Sequence, residues 1–303
     1  MSALISLFGN NILPIFLAAG SGYLAAKKFQ LSPRSLSQAA FYIFSPCLIF
    51  DILTTSQLNG SDVTRMATFA FVNVTLVGTM TWLIGRLLHL ERRILVAVIL
   101  TTMFANAGNY GLSLTLFAFD ETVLAHASLY FVTMATLMFT VGTVIASLGH
   151  SSLKGAMLGL FKVPTLYAVI AALLFNHMSW QLPLPLERTV HILGSAAIPV
   201  LMALMGIQLY YSQWNGHIKA LTLSSFMRLL AAPALAIGLS FVWGLHGAAR
   251  QAGILESAMP TAITTTVLAT EYNVEPAFVS TVVFVSTLLS PLTVTPLLAY
   301  LGA

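Results

Sequence analysis

Apolar residues run along this chain in blocks of roughly twenty, parted by short stretches of polar and turn-forming residues. A helix of about twenty apolar residues crosses the ~30 Å hydrocarbon core of a bilayer. The blocks predict ten such helices, at about 11–28, 35–55, 66–87, 93–118, 122–148, 163–180, 187–211, 218–244, 249–271 and 275–301. Hydrocarbon offers backbone N–H and C=O groups no water, so each block has to satisfy them internally as a helix. The loops are too short for a soluble domain. The expected class is an all-α polytopic membrane protein.

Two blocks break the pattern. The ninth holds Glu256 and Pro260 one turn apart in ILESAMPTAITTT. Proline carries no N–H and leaves the carbonyl four residues earlier, that of Glu256, without its helical partner. Thr261, Thr264 and Thr265 follow. The half-helix that starts there would present unpaired N–H groups and a positive dipole end, which suits an anion. The fourth block has its own interruption in FANAGNYGLSL, where Asn106, Gly108, Asn109 and Gly111 occupy what should be a membrane midsection. Glycine weakens a helix, and the two amides offer both donors and acceptors.

The interruptions are in register. A shift of 153 residues carries Asn106 to Met259 and Gly108 to Thr261. The same shift carries Pro46 (in SPCLIF) to Pro199 (in IPVLMAL), Asn11 to Pro164 and Asp120 to Asn273. The chain thus divides into two five-helix repeats, residues 1–150 and 151–303. Five is odd, so the second repeat inserts upside down. Inverted repeats are the build of many secondary transporters, whose site lies near the midplane at paired helix breaks. Asn106, Gly108, Asn109, Gly111, Pro260, Thr261, Thr264 and Thr265 are therefore the candidate substrate-binding residues, with Pro46 and Pro199 as supporting helix breaks.

Composition narrows the class further. Hydrophobic residues make up 58% of the 303 residues and charged ones 7%, with a mean hydropathy of +0.90. Soluble domains are about 25% charged. The net charge of +4 comes from loops. Lys27, Lys28, Arg34, Arg86, Arg92, Arg93, Lys154, Lys162 and Lys219 fall on one side, against Arg65, Arg188 and Arg250 on the other. The positive-inside rule then places both termini on the outer side of the plasma membrane, away from the cytoplasm. Orientation explains the cations, and no nucleic-acid partner is expected. Lys27 and Lys28 follow the first apolar run, which reads as a first span rather than a signal peptide.

Charges inside spans are Asp51, Arg228 and Glu256, and each costs at least ~2.5 kcal/mol on insertion scales. Asp51 lies near a span end and is read as reaching the interface. Arg228 is read as snorkelling toward the cytoplasmic side. Glu256 abuts a break and is the candidate coupling residue, carrying a proton between access states. Its alternative is a structural hydrogen bond to the loosened helix. Gln208, Asn73 and His126 are read as interhelical hydrogen-bonding residues.

An intramembrane enzyme would need a constellation such as GxSxG with His, paired aspartates or HExxH, and none occurs. Seven scattered histidines and the single Cys47 form no metal-ligand spacing. No catalytic residue, metal or cofactor is expected. Two classes remain: a carrier of a small organic anion, and a sodium-coupled symporter of the bile-acid type. The second would favour further carboxylates at the breaks, where Glu256 is alone.

AMPTAITTTVLATEYNVEPAFVSTVVFVSTLLSPLT resembles the last spans of the auxin efflux carrier family, and FANAGNYGLSL resembles that family's fourth-span crossover. SPCLIF and AIPVLMALMGIQL resemble its second and seventh spans, so the likeness runs through the whole chain. The resemblance implies ten helices in two inverted repeats, with broken helices four and nine crossing. It also implies an elevator movement of a transport domain against a scaffold, and assembly as a homodimer. By motif position Asn106 matches the crossover Asn, Gly111 its Gly and Pro260 the second-half Pro. Ala105 and Ser113 stand where the plant pattern often has proline, so the first break is expected to rely on Gly108 and Gly111. Only about residues 149–162 join the halves, in place of a long cytoplasmic loop. A bacterial-type member moving a small organic anion other than auxin fits that departure.

Overall fold

The structure is a computed structural model that describes residues 2–56, 58, 60–147, 163–212 and 217–303. Lys154, Lys162 and the repeat boundary at residue 150 lie outside the described residues. In chain order the helices are α1 (Ala3–Phe29), α2 (Pro33–Thr55), α3 (Gly60–Leu87) and α4 (Arg92–Met103). Next come α5 (Ala107–Leu112 running on as Ser113–Ala118), α6 (Glu121–Ala146), α7 (Pro164–His177) and α8 (Leu184–Tyr210). The last are α9 (Ile218–Val242), α10 (Gly247–Ser257), α11 (Thr264–Glu271) and α12 (Pro276–Leu301). Seven of these are long and apolar enough to cross a membrane: α1, α2, α3, α6, α8, α9 and α12. Among the described residues, β pairing is confined to one isolated bridge.

The fourth and ninth blocks are each two half-helices, α4 with α5 and α10 with α11. Helix ends elsewhere differ from expectation by a few residues. α1 starts at Ala3 because Leu4, Ile5, Leu7 and Phe8 extend its apolar run, and α7 stops at His177.

Prolines shape several spans. Pro14, Pro46 and Pro233 each lie two residues beyond a π-wound turn, Phe8–Ile12, Ala40–Phe44 and Met227–Ala231. A proline ring crowds the carbonyl four residues back. Here those carbonyls belong to Asn10, Tyr42 and Leu229, inside the π turns, where wider winding relieves the crowding. Pro199 instead sits inside the continuous helix α8.

Packing forms two groups. α8 lies along α1 and α2, and α7 lies on α2. α3 packs on α4 and α6, α6 on α10, and α9 on α4 and α12. The α1–α8 seam is the closest approach, with Gly22 against the Ala203 carbonyl and Gly206 against the Ala19 carbonyl. Lipid supplies no hydrophobic drive between helices, so small residues that let backbones meet are what hold such seams.

Gly22→Ala would push a methyl into the Ala203 backbone, whereas Gly20 on the same helix faces open space. Thermal unfolding in detergent should show Gly22→Ala destabilised by about 1–3 kcal/mol, the range for overpacking, and Gly20→Ala close to the parent. Equal behaviour of the two would contradict this seam.

Candidate functional site

The two helix breaks meet. Ala105 and Thr261 form an antiparallel bridge. Its two hydrogen bonds run from the Asn106 N–H to the Pro260 carbonyl (2.7 Å) and from the Ala262 N–H to the Phe104 carbonyl (2.8 Å). Each interruption thus supplies what the other lacks. Other groups at the breaks are paired as well. The Thr261 hydroxyl donates to the Thr101 carbonyl (2.8 Å), the Thr261 N–H to the Ser286 hydroxyl (3.2 Å), and the Met259 N–H to the Glu256 carbonyl (3.4 Å).

Arg228 closes the crossing from one side. Its guanidinium donates to the Thr102 carbonyl (Nη1, 2.7 Å) and to the Ser257 carbonyl (Nη2). These carbonyls belong to the C-terminal turns of α4 and α10, the negative ends of two helix dipoles. The side chain is 1% exposed, so the snorkelling expected of it does not occur. The π turn Met227–Ala231 directs it inward to a site where two sets of orphan carbonyls need a forked donor.

Glu256 is also fully buried, at 0% exposure. Its Oε1 accepts from the Thr115 hydroxyl (3.5 Å), while Oε2 has no protein partner. The carboxylate lies on Gly111, where any Cβ would collide with it. The group is packed against α5 and lines neither of two nearby cavities.

Those cavities flank the crossing. The smaller, about 90 Å³, is lined by Asn106, Gly108, Asn109, Thr264, Gln208 and Ser37 among others. Both second half-helices, α5 and α11, begin at its wall, and neither carries a side-chain N-cap. The N-terminal turn of such a helix holds orphan N–H donors. Two positive helix ends and two amides therefore face one small space. The larger cavity, about 860 Å³, lies between α2, α3, α6 and α8 and carries Asp51, Asp62, Glu121, His126 and His191. Asp51 does not simply reach outward, for its Oδ2 is 2.9 Å from His191 Nδ1.

The candidate residues separate by task. Asn106, Gly108, Asn109 and Thr264 line the small cavity. The Asn109 amide reaches Gln208 (3.5 Å), which in turn donates to Ser37 (3.3 Å), and the Asn106 amide lies 3.8 Å from the Met205 sulfur. Pro260 and Thr261 are spent on the bridge, and the Thr265 hydroxyl donates to the Ala262 carbonyl (2.6 Å). Gly108 abuts the Phe131 ring and Gly111 the Glu256 carboxylate. The first break therefore does not rely on those glycines. It falls at Phe104–Asn106, where the chain turns extended to make the bridge. Pro199 lines the larger cavity, and Pro46 starts the straight part of α2 between the two cavities' walls. Gln208, an interhelical hydrogen-bonding residue as expected, completes the small cavity with Ser37, which has no local sequence signal. Among the described residues, no group of three or more His, Cys, Asp or Glu could hold a metal ion.

Comparison with known sequences adds an independent line. A family model described as Membrane transport protein matches residues 8–152 and 146–298. An "Uncharacterized transporter" of Methanothermobacter thermautotrophicus is 29% identical over 259 residues, covering 84% of this chain and 85% of that protein. A protein of Rhizobium meliloti named "Putative malonate transporter" is 28% identical over 302 residues, covering 95% of this chain and 93% of its own. Auxin efflux carrier component 6 of Arabidopsis thaliana is 28% identical over 142 residues, which is 45% of this chain and 25% of the plant protein.

Arg228→Lys keeps the charge but offers one ammonium in place of a fork that reaches two carbonyls. A hydrogen bond to a charged group is worth about 1.5–3 kcal/mol. Arg228→Lys should lose about that much stability in chemical or thermal unfolding, and Arg228→Met more. A Lys variant as stable as the parent would remove the clamp from this description.

Proposed function

We propose, on the premise that this chain belongs to the membrane transport protein family, that it is a secondary carrier of a small organic anion working by alternating access. The observation that carries the reading is the small cavity where α5 and α11 both begin uncapped, beside Asn106 and Asn109. Helix N-termini favour anions through free N–H groups and dipole alike. Among the described residues no Lys or Arg lines that cavity, so the anion's charge would be met by backbone and amides.

Size narrows the substrate. The cavity is small, about 90 Å³, and a short mono- or dicarboxylate such as malonate suits it. The Rhizobium relative named for malonate matches along nearly the whole chain, which makes malonate the first probe.

We read the fold as ten spans in two inverted five-helix repeats, with the pairs α4–α5 and α10–α11 each counted as one crossing span and α7 as a short one. The antiparallel pairing of the breaks and their 153-residue register support this. In this reading α1, α2, α7 and α8 form a scaffold, with dimerisation as its natural use, and the remaining helices move as an elevator carrying the crossing. The cation-rich loops face the cytoplasm across the inner membrane, and both termini face outward. Glu256 is the coupling residue, protonated in one access state and ionised in the other.

A thermal-shift panel of mono- and dicarboxylates tests the substrate class. A ligand at 100 times its Kd should add about 2.7 kcal/mol. Asn106→Ala should weaken that ligand roughly ten- to a hundredfold, the worth of a hydrogen bond to a charged partner. No stabilisation by any carboxylate, or undiminished affinity in a folded Asn106→Ala protein, would refute the site.

Coupling has its own test in proteoliposomes. Glu256→Gln keeps size and hydrogen bonding but cannot release a proton. The variant should still exchange substrate across the membrane, yet fail to accumulate it under a pH gradient. Accumulation with the parent's pH dependence would make Glu256 structural.

A further inference from the structure

Glu256 is sealed in the core, so a proton that it exchanges needs a route. Toward the small cavity the way is closed, because the α5 backbone at Gly111 lies directly on the carboxylate. On the other side the core holds a line of polar groups. Tyr130 on α6 lies within electrostatic range of both Glu256 and Arg228. Its hydroxyl donates to Asn73 Oδ1 of α3 (3.3 Å). One turn away on the same face of α6 is His126, since residues four apart stack on a helix. His126 is 6% exposed and reaches the walls of both the larger cavity and a neighbouring one of about 180 Å³.

Three buried polar atoms along this line lack a partner among the described residues: Glu256 Oε2, Asn73 Nδ2 and His126 Nδ1. Buried polar groups are satisfied in folded proteins, and where protein supplies no partner an internal water does. Three such atoms in sequence, ending at a cavity of about 860 Å³, describe a hydrated thread between the carboxylate and that cavity.

We infer that Glu256 exchanges its proton with the larger cavity through Tyr130 and His126. The inference rests on the reading of Glu256 as the coupling residue. On release, the carboxyl O–H bond breaks and the proton passes through water to the Tyr130 oxygen. Tyr130 gives up its own hydroxyl proton in the same event, so it ends neutral. His126 Nδ1 takes that proton as an N–H and later yields it to the cavity. One proton leaves, Glu256 is left ionised, and Tyr130 and His126 return to their starting states.

The charges around the two ends suit this direction. His126 is faced by Asp62 and Arg65 of α3, Glu121 of its own helix and His246 before α10, with Asp51 and His191 across the cavity. Carboxylates at the mouth raise the local proton concentration and hold an imidazolium. At the inner end Thr115 of α5 donates to the carboxylate, and Arg228 of α9 holds the carbonyl of Ser257, the residue after Glu256. The small cavity is left to the anion. Proton and substrate thus reach the crossing from opposite faces of α5.

Infrared spectroscopy after a pH jump on the purified full chain tests the route without any substrate. The protonated-carboxyl band that disappears in Glu256→Gln reports the residue. In His126→Leu and His126→Gln its response should slow at least tenfold, with Tyr130→Phe slowed as well. His126→Glu, which restores a titratable group, should recover much of the rate. Unfolding midpoints identify any variant that fails to fold, and the two His126 replacements serve as mutual controls. A Glu256 band that responds at the parent's rate in the folded His126 variants overturns the route and leaves the coupling reading intact. A spectrum identical in the parent and Glu256→Gln overturns the coupling reading itself.

Discussion

A helix that breaks inside hydrocarbon must find partners for the groups it frees, because an unsatisfied backbone polar group there costs several kcal/mol. This protein meets that demand by making two breaks answer each other. Phe104 and Asn106 pair with Ala262 and Pro260, so neither interruption could persist without its counterpart. The bridge alone does not suffice. The last carbonyls of α4 and α10 still need donors, and these come from the Thr261 hydroxyl and the Arg228 fork.

That division gives the crossing a polarity. Its two helix C-termini are closed by a buried cation, and its two helix N-termini are left uncapped at the wall of a cavity. An arginine facing the N-termini would compete with an incoming anion or bind it too firmly. Placed behind the bridge, the same charge stabilises the broken helices and leaves the donors free. On the proposed function, the arrangement would let a site take anions with no basic residue among the described residues of its lining.

Much of this was legible in the sequence, because the membrane forces simple patterns. Apolar blocks of span length mark helices, and a proline with a carboxylate in one of them marks a break. The 153-residue register paired that break with the Asn- and Gly-rich stretch of the fourth block, and the resemblance to auxin efflux carriers agrees with the family match. What sequence could not give is direction. Thr261 and Thr265 look like ligands until their hydroxyls are seen turned to backbone. Gly108 and Gly111 look like breakers, but they are thinned for Phe131 and Glu256, contacts made by other helices. Arg228 was visible as an intramembrane charge, yet its two carbonyls lie on α4 and α10, and only the folded chain brings them to it.

The bridge also bears on how the molecule is made. Phe104 and Asn106 are synthesised long before Pro260 and Ala262, in the other half of the chain. At ~5–20 residues per second, the fourth block waits in the bilayer for roughly 10–30 s with its orphaned carbonyls and amides unmatched. A half-made chain is therefore an incomplete solute in lipid, exposed to membrane proteases and in need of an insertase or chaperone to shelter it. Late ribosomal arrival of α10 and α11 is the event that commits the earlier half to its native state.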